Sequence, residues 1–397
     1  MKHKGILAGS LLCGLAAWTL QPAVAADDGA DMPAPVTIGA RIFADPGLSA
    51  SGDLACATCH DPANAHAQSN DLPVQSGGAH RDVPGFRAVP SLRYLSFTPA
   101  FAFDGDGMPI GGFNRDGRAN DLMAQAMRPL FAAHEMANES VAALVMRLAN
   151  ASYADEFRRV FGAGVFEDQA ATLRAIVFAL AQYEKLDPDF RPFDSKYDRF
   201  LQGRLRLDPA ELRGLALFNR ADKGNCAACH PSARGSKGEL PLFTDFSYDN
   251  LGVPRNPRLA ATADAAYFDL GICGPDRTDL RERIDLCGAF KVPTLRNVAT
   301  RHVFFHNGRF TTLRDALRFY VRRDIEPASF YPADESDNAR KYDDLPADLV
   351  VNVNTAEVPY DRKPGESPRL TEAELDDLEA FLNTLTDGYQ PPLRAPE

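Results

Sequence analysis

A mainly α-helical protein in two similar halves is the fold class the sequence predicts, and three observations carry it. Apolar residues recur at helical spacing in several long segments, while strand-like alternation is scarce. The motif C-x-x-C-H occurs twice, at Cys56–His60 and Cys226–His230, 170 residues apart. Each copy follows a similar lead, IGARIFADPGLSASGDLACATCH and ELRGLALFNRADKGNCAACH, in which a helical stretch with Gly and Phe (Gly39/Phe43, Gly214/Phe218) precedes a polar loop.

The chain opens with Lys2 and Lys4, an apolar run from Ile6 to Leu20 and the small-residue site Ala23-Val24-Ala25. That pattern reads as a secretory signal peptide over 1–25, cleaved after Ala25, and places the mature protein in the periplasm. The run is short for a retained membrane span. Loss of two lysines with the signal leaves the mature protein more acidic than the full chain's net charge of −11. Nucleic-acid binding wants a basic face and is disfavoured.

Within the mature chain the helical pattern is clearest in SVAALVMRLANASYADEFRRVF and QAATLRAIVFALAQYEKL. The C-terminal TEAELDDLEAFLNTLTDGY opens on the capping pair Thr371/Glu374 and ends near Gly388. The Pro- and Gly-rich stretches 71–112 and 231–258 read as loops. The expected organisation is an N-terminal domain over 26–200 and a C-terminal domain over 201–397, with the break near 195–208.

C-x-x-C-H is the attachment signature of c-type haem: two thioethers tether the porphyrin and the adjacent histidine reaches the iron. A zinc site built from the four cysteines would leave both following histidines unexplained. Cys56, Cys59, Cys226 and Cys229 are therefore read as haem attachment residues, and His60 and His230 as proximal ligands. The fold expected is two cytochrome c-like domains, each holding one covalent haem. Of the remaining cysteines, Cys13 lies in the signal. Cys273 and Cys287, 14 apart in an exported protein, most simply pair as a disulfide.

An iron filled on both sides by strong protein ligands shuttles electrons; one with an open face can bind peroxide. Methionine is the usual second ligand of electron-carrying haems. All seven methionines fall at or before Met146, so the second half contains none.

The run FKVPTLRNVATRHVFFHNGRFTTLRDALRFY resembles the C-terminal haem segment of bacterial di-haem cytochrome c peroxidases and MauG-like enzymes. RAVPSLRYL, DGRANDLMAQAMRPLFAAHEMAN and both haem motifs are similar to the same superfamily, in the same order. RAVPSLRYL and YDNLGVPRNP lean toward the MauG-like branch acting in methanobactin and copper-related systems. The resemblance implies Tyr320 as distal ligand of the second haem, where the ordinary peroxidases place methionine. It implies Glu135 as the acid–base group at the first haem, with Gln125 orienting peroxide or water. His80, seven residues before Arg87, matches the distal histidine of reductively activated peroxidases. Arg296 falls near the second haem, where an arginine suits a propionate.

Two departures stand out. The family's inter-haem tryptophan, directly before DGRA, is Arg115 here, and the sole tryptophan, Trp18, leaves with the signal. Its inter-domain calcium usually uses an asparagine where Ala88 stands, so such an ion would rest on backbone carbonyls and water.

The function expected is peroxide-driven, MauG-like oxidation of aromatic side chains on a partner protein. The alternatives are a cytochrome c peroxidase fed by a small cytochrome or copper protein, and a non-catalytic electron carrier, for which the Gln125/Glu135 pair would be superfluous.

Overall fold

The computed structural model describes residues 32–390; the proposed signal peptide and Trp18 lie outside them. Ten helices occur among the described residues: α1 (Ala34–Ala44), α2 (Cys56–Cys59), α3 (Leu122–Met127), α4 (Val141–Ala149), α5 (Ala154–Phe161), α6 (Gln169–Leu186), α7 (Lys196–Leu201), α8 (Pro209–Asn219), α9 (Leu313–Arg322) and α10 (Glu372–Asn383). Six two-residue strands pair as three antiparallel ladders: β1 (Ser76–Gly77) with β2 (Val83–Pro84), β3 (Ala102–Phe103) with β4 (Pro109–Ile110), and β5 (Tyr248–Asp249) with β6 (Phe290–Lys291). The rest is turns, 3-10 segments and long irregular connections, as a mainly α fold with extended loops requires.

The helices form two main apolar cores. The first gathers Ile38, Phe43, Leu144, Leu148, Phe157, Ile176 and Leu180 around α1, α4, α5 and α6. The second gathers Phe218, Phe243, Leu317, Leu375, Leu378 and Phe381 around α8, α9 and α10. Membership changes between Phe190 and Tyr197. The described residues from Pro33 form a single compact unit.

The two glycines of the repeated lead are explained by helix crossing. A Cβ at Gly39 would sit 2.1 Å from the Ala179 carbonyl oxygen of α6, and one at Gly214 would sit 2.0 Å from that of Asp377 on α10. Only glycine lets α1 close on α6 and α8 on α10 at that distance. Phe43 and Phe218, one turn on, are then buried at 2% and 1% exposure.

α6 runs over the predicted span, capped by the Asp168 carboxylate on two backbone N–H groups. The helix expected across 140–161 is instead two, broken at 150–153. There the Asn150 side chain takes the Met146 carbonyl, and Tyr153 turns to donate to Asp45 at 2.8 Å. The Thr371/Glu374 capping box forms as predicted. Its helix stops at Asn383 rather than near Gly388, and the Thr384 N–H and Oγ1 both donate to the Phe381 carbonyl, closing the last turn. Cys273 and Cys287 are joined by a disulfide. No described helix is long and apolar enough to cross a membrane.

Candidate functional site

The first C-x-x-C-H cluster is a single helical turn, α2, continued by His60, whose N–H donates to the Cys56 carbonyl at 2.9 Å. The turn brings both thiols beside the imidazole, and neither is in a disulfide. His60 Nδ1 faces the carbonyl oxygens of His66 (3.2 Å) and Pro90 (3.1 Å). A carbonyl only accepts, so Nδ1 carries the proton and Nε2 keeps its lone pair for a metal. Burial pulls the imidazole down to about 4 and keeps it neutral, as ligation requires.

The second cluster repeats this. His230 N–H donates to the Cys226 carbonyl at 2.8 Å, and Nδ1 donates to the Phe243 carbonyl at 2.8 Å. Burial lowers the His230 pKa. Cys226, Cys229 and His230 open onto a cavity of about 320 Å³. α9 supplies one of its walls: Leu313, Ala316, Leu317 and Tyr320, spaced i, i+3, i+4 and i+7, all line it. Burial, then the nearby Asp249 carboxylate and Cys226, push the Tyr320 phenol well above its usual range. Tyr320 packs against Phe305 (ring centroids 5.8 Å apart) and Tyr360 (6.4 Å). No hydrogen bond among the described residues involves its hydroxyl.

Gln125, on α3, lines the same cavity, and its buried Oε1 has no hydrogen-bond partner. Glu135 is about a third exposed, with Oε1 3.5 Å from His134 Nε2. Its carboxylate is close enough to His60, Cys56 and Cys59 to influence all three. His80 is exposed in the connection between β1 and β2 and makes no hydrogen bond, and its neighbour Arg81 is close enough to Cys59 to favour that residue's thiolate. Arg296 is committed elsewhere: Nη1 and Nη2 grip Asp198 at 2.9 and 2.8 Å, and Nε donates to the Pro241 carbonyl. Its guanidinium fork serves a buried carboxylate of the chain itself, and the residue also lines the cavity.

The cations suited to a bound anion are others. Arg115, Arg301 and Lys291 all line the cavity, and none has a carboxylate within ion-pair distance among the described residues. Burial lowers them to about 9, 10 and 8 respectively. Buried unpaired cations are costly unless an anion joins them. Together with the Cys226 and Cys229 thiols, the poised His230 and the orphaned Gln125 oxygen, they fit c-type haem and its two carboxylates; Cys56, Cys59, His60 and Glu135 are not among the residues that line this cavity.

A second internal repeat emerges beside the cavity. Val89-Pro90-Ser91-Leu92-Arg93-Tyr94 and Val292-Pro293-Thr294-Leu295-Arg296-Asn297 are the same motif. Pro90 backs His60, and the Pro293 carbonyl likewise favours the protonated form of His230. The last residues of both copies converge on Asp387, which accepts from Arg93 (3.2 Å), Tyr94 (2.6 Å) and Asn297 (2.6 Å). The two VP-[ST]-LR strings could have revealed this relation in the sequence; Asp387, some 90 residues farther on, carried no signal.

Comparison with known proteins agrees with this arrangement. The family model for "Di-haem cytochrome c peroxidase" matches residues 33–206. The methylamine utilization protein MauG of Paracoccus denitrificans is 36% identical over 95% of this chain and 94% of its own. The crystal structure of the diheme peroxidase BthA from Burkholderia thailandensis superposes with a TM-score of 0.83 at 38% identity, covering 90% of this chain and 87% of that one. A MauG-like protein associated with microbial copper homeostasis follows at TM-score 0.61 and 26% identity, covering 90% of each. The chain belongs to the di-haem cytochrome c peroxidase/MauG family, whose members are peroxidase-type oxidoreductases with two c-type haems.

Proposed function

We propose that the protein is an exported enzyme that consumes hydrogen peroxide and draws the electrons from aromatic side chains of a partner protein. The carrying observation is Tyr320: a buried phenol shares the cavity with His230, in a half of the chain without methionine. A phenolate is a hard anionic ligand that stabilises oxidised iron, whereas a thioether favours the reduced state. The second haem then suits storage of an oxidising equivalent better than acceptance of electrons from a small carrier.

A c-type haem bound at each cluster supplies a redox-active iron. Around it, in this reading, each core carries one haem, with the boundary between Phe190 and Tyr197. His60 and His230 present Nε2 to the metal, held by carbonyls at Nδ1. Tyr320 offers its oxygen at the second cluster. Glu135 takes the proton of peroxide at one oxygen and returns it at the other. Gln125, through its unpartnered Oε1, orients the incoming molecule. Arg115, Arg301 and Lys291 neutralise carboxylates at the cavity wall. The pattern of residues 1–25 supports periplasmic export.

The test is to treat the haem-loaded protein with peroxide in the presence of each exported protein encoded beside it, and to examine those proteins by mass spectrometry. Oxidation or cross-linking of tryptophan or tyrosine is expected. The acidic surface, with a net charge of −11, favours a second reading, docking of a basic small cytochrome. Unmodified neighbours together with rapid peroxide-dependent oxidation of such a cytochrome would replace the first reading by the second.

A further inference from the structure

We propose that Tyr94 is an oxidisable relay of this enzyme, passing an electron toward a peroxide-oxidised haem while its phenolic proton moves to Asp387. The proposal rests on the functional reading above and goes beyond it to a residue that lies in neither haem motif.

Tyr94 is 3% exposed and lines the same cavity as His230, Tyr320 and Gln125. Its hydroxyl donates to Asp387 Oδ1 at 2.6 Å and accepts from the Phe193 N–H at 3.1 Å. The Arg296 guanidinium lies 4.7 Å above the ring. Loss of an electron alone would create a cationic ring against that fixed guanidinium, which is unfavourable in a buried site. The proton must therefore leave with the electron, and Asp387 is the acceptor in place. Its carboxylate is held by Arg93 and Asn297, and its backbone N–H donates to Asn297 Oδ1 at 2.9 Å. A proton delivered there stays in the network and is available for return.

The turn that places this ring is shared by the repeat: Tyr94 has φ +67° and Asn297, at the matching position, φ +59°, and both side chains reach Asp387.

The step balances. One electron leaves the phenol for the oxidised haem iron, the O–H bond breaks, and an O–H bond forms on Asp387, leaving a neutral tyrosyl radical. An electron arriving from the other haem or from an aromatic substrate, with the proton returned by Asp387, restores the phenol.

The experiment uses haem-loaded protein grown with ring-deuterated tyrosine, mixed with peroxide and freeze-quenched for EPR, with decay of the oxidised haem spectrum followed in H₂O and D₂O. A narrow tyrosyl signal altered by the label, lost in Tyr94→Phe, is expected. Decay of the oxidised state should be slower in D₂O in the wild type, with that isotope effect lost in Tyr94→Phe and weakened in Asp387→Asn. Unchanged haem content and ferric spectra establish that the variants fold. An oxidised haem spectrum whose radical signal and isotope effect are the same in Tyr94→Phe overturns the relay alone. No change of the haem spectrum on adding peroxide overturns the peroxide reading and the relay with it.

Discussion

Arg296 and Asp198 form a two-point ion pair at 2.9 and 2.8 Å, with side chains 1% and 0% exposed. Asp198 also accepts from the hydroxyl and N–H of Ser195, so the pair ties the start of α7 to the loop that carries the second VP-T-LR motif. Replacing Arg296 by Gln leaves that carboxylate buried without its partner. The expected cost is about 3–5 kcal/mol of stability, read as a lowered denaturation midpoint at unchanged haem content.

Tyr320→Met exchanges a hard oxygen for a thioether in the second haem site. The reduction potential of that haem should rise by more than about 100 mV, since axial ligands tune haem over several hundred millivolts. Spectroelectrochemistry of the two haems measures it, and the potential of the His60 haem should stay where it is.

Gly39→Ala and Gly214→Ala each drive a methyl group into a backbone carbonyl at about 2 Å. Neither α1 on α6 nor α8 on α10 can keep its spacing. Each variant should lose about 1–3 kcal/mol, the usual range for overpacking. Gly52→Ala, at an open turn with nothing near its Cβ, is a suitable control: positive φ there costs strain but moves no helix.

Glu184 is 4% exposed, and its Oε2 has no hydrogen-bond partner. Burial alone raises its pKa from 4.5 to about 8. Between those values the folded protein holds a proton that the unfolded chain releases, so this residue makes stability fall as pH rises from about 4.5 to 8. Glu184→Gln removes the titration. Denaturation at pH 5 and pH 8 should show the variant gaining on the wild type at the higher pH, by a few kcal/mol at most.

Much of this architecture is local and therefore readable in the chain. The C-x-x-C-H clusters, the α6 span and the Thr371/Glu374 capping box depend on residues within a turn or two of one another. What escaped is non-local. Arg296 meets a carboxylate 98 residues earlier, and Asp387 gathers groups from both copies of a motif. The break at 150–153 depends on Tyr153 reaching Asp45, and no periodicity within 140–161 could announce it. The hairpin that carries His80 also depends on a distant contact, the Gly78 N–H on the Glu135 carbonyl, which sets β1–β2 beside the first haem cluster.

The central claim is that the His60 haem carries a face open to peroxide in the fully oxidised protein. One equivalent of peroxide added to the all-ferric enzyme, without reductant and followed by stopped-flow optical spectroscopy, tests it most directly. The account predicts an immediate change in the haem spectrum, at the same rate in His80→Ala. A spectrum that stays unchanged until one electron is supplied, and that responds at once in His80→Ala, would contradict it.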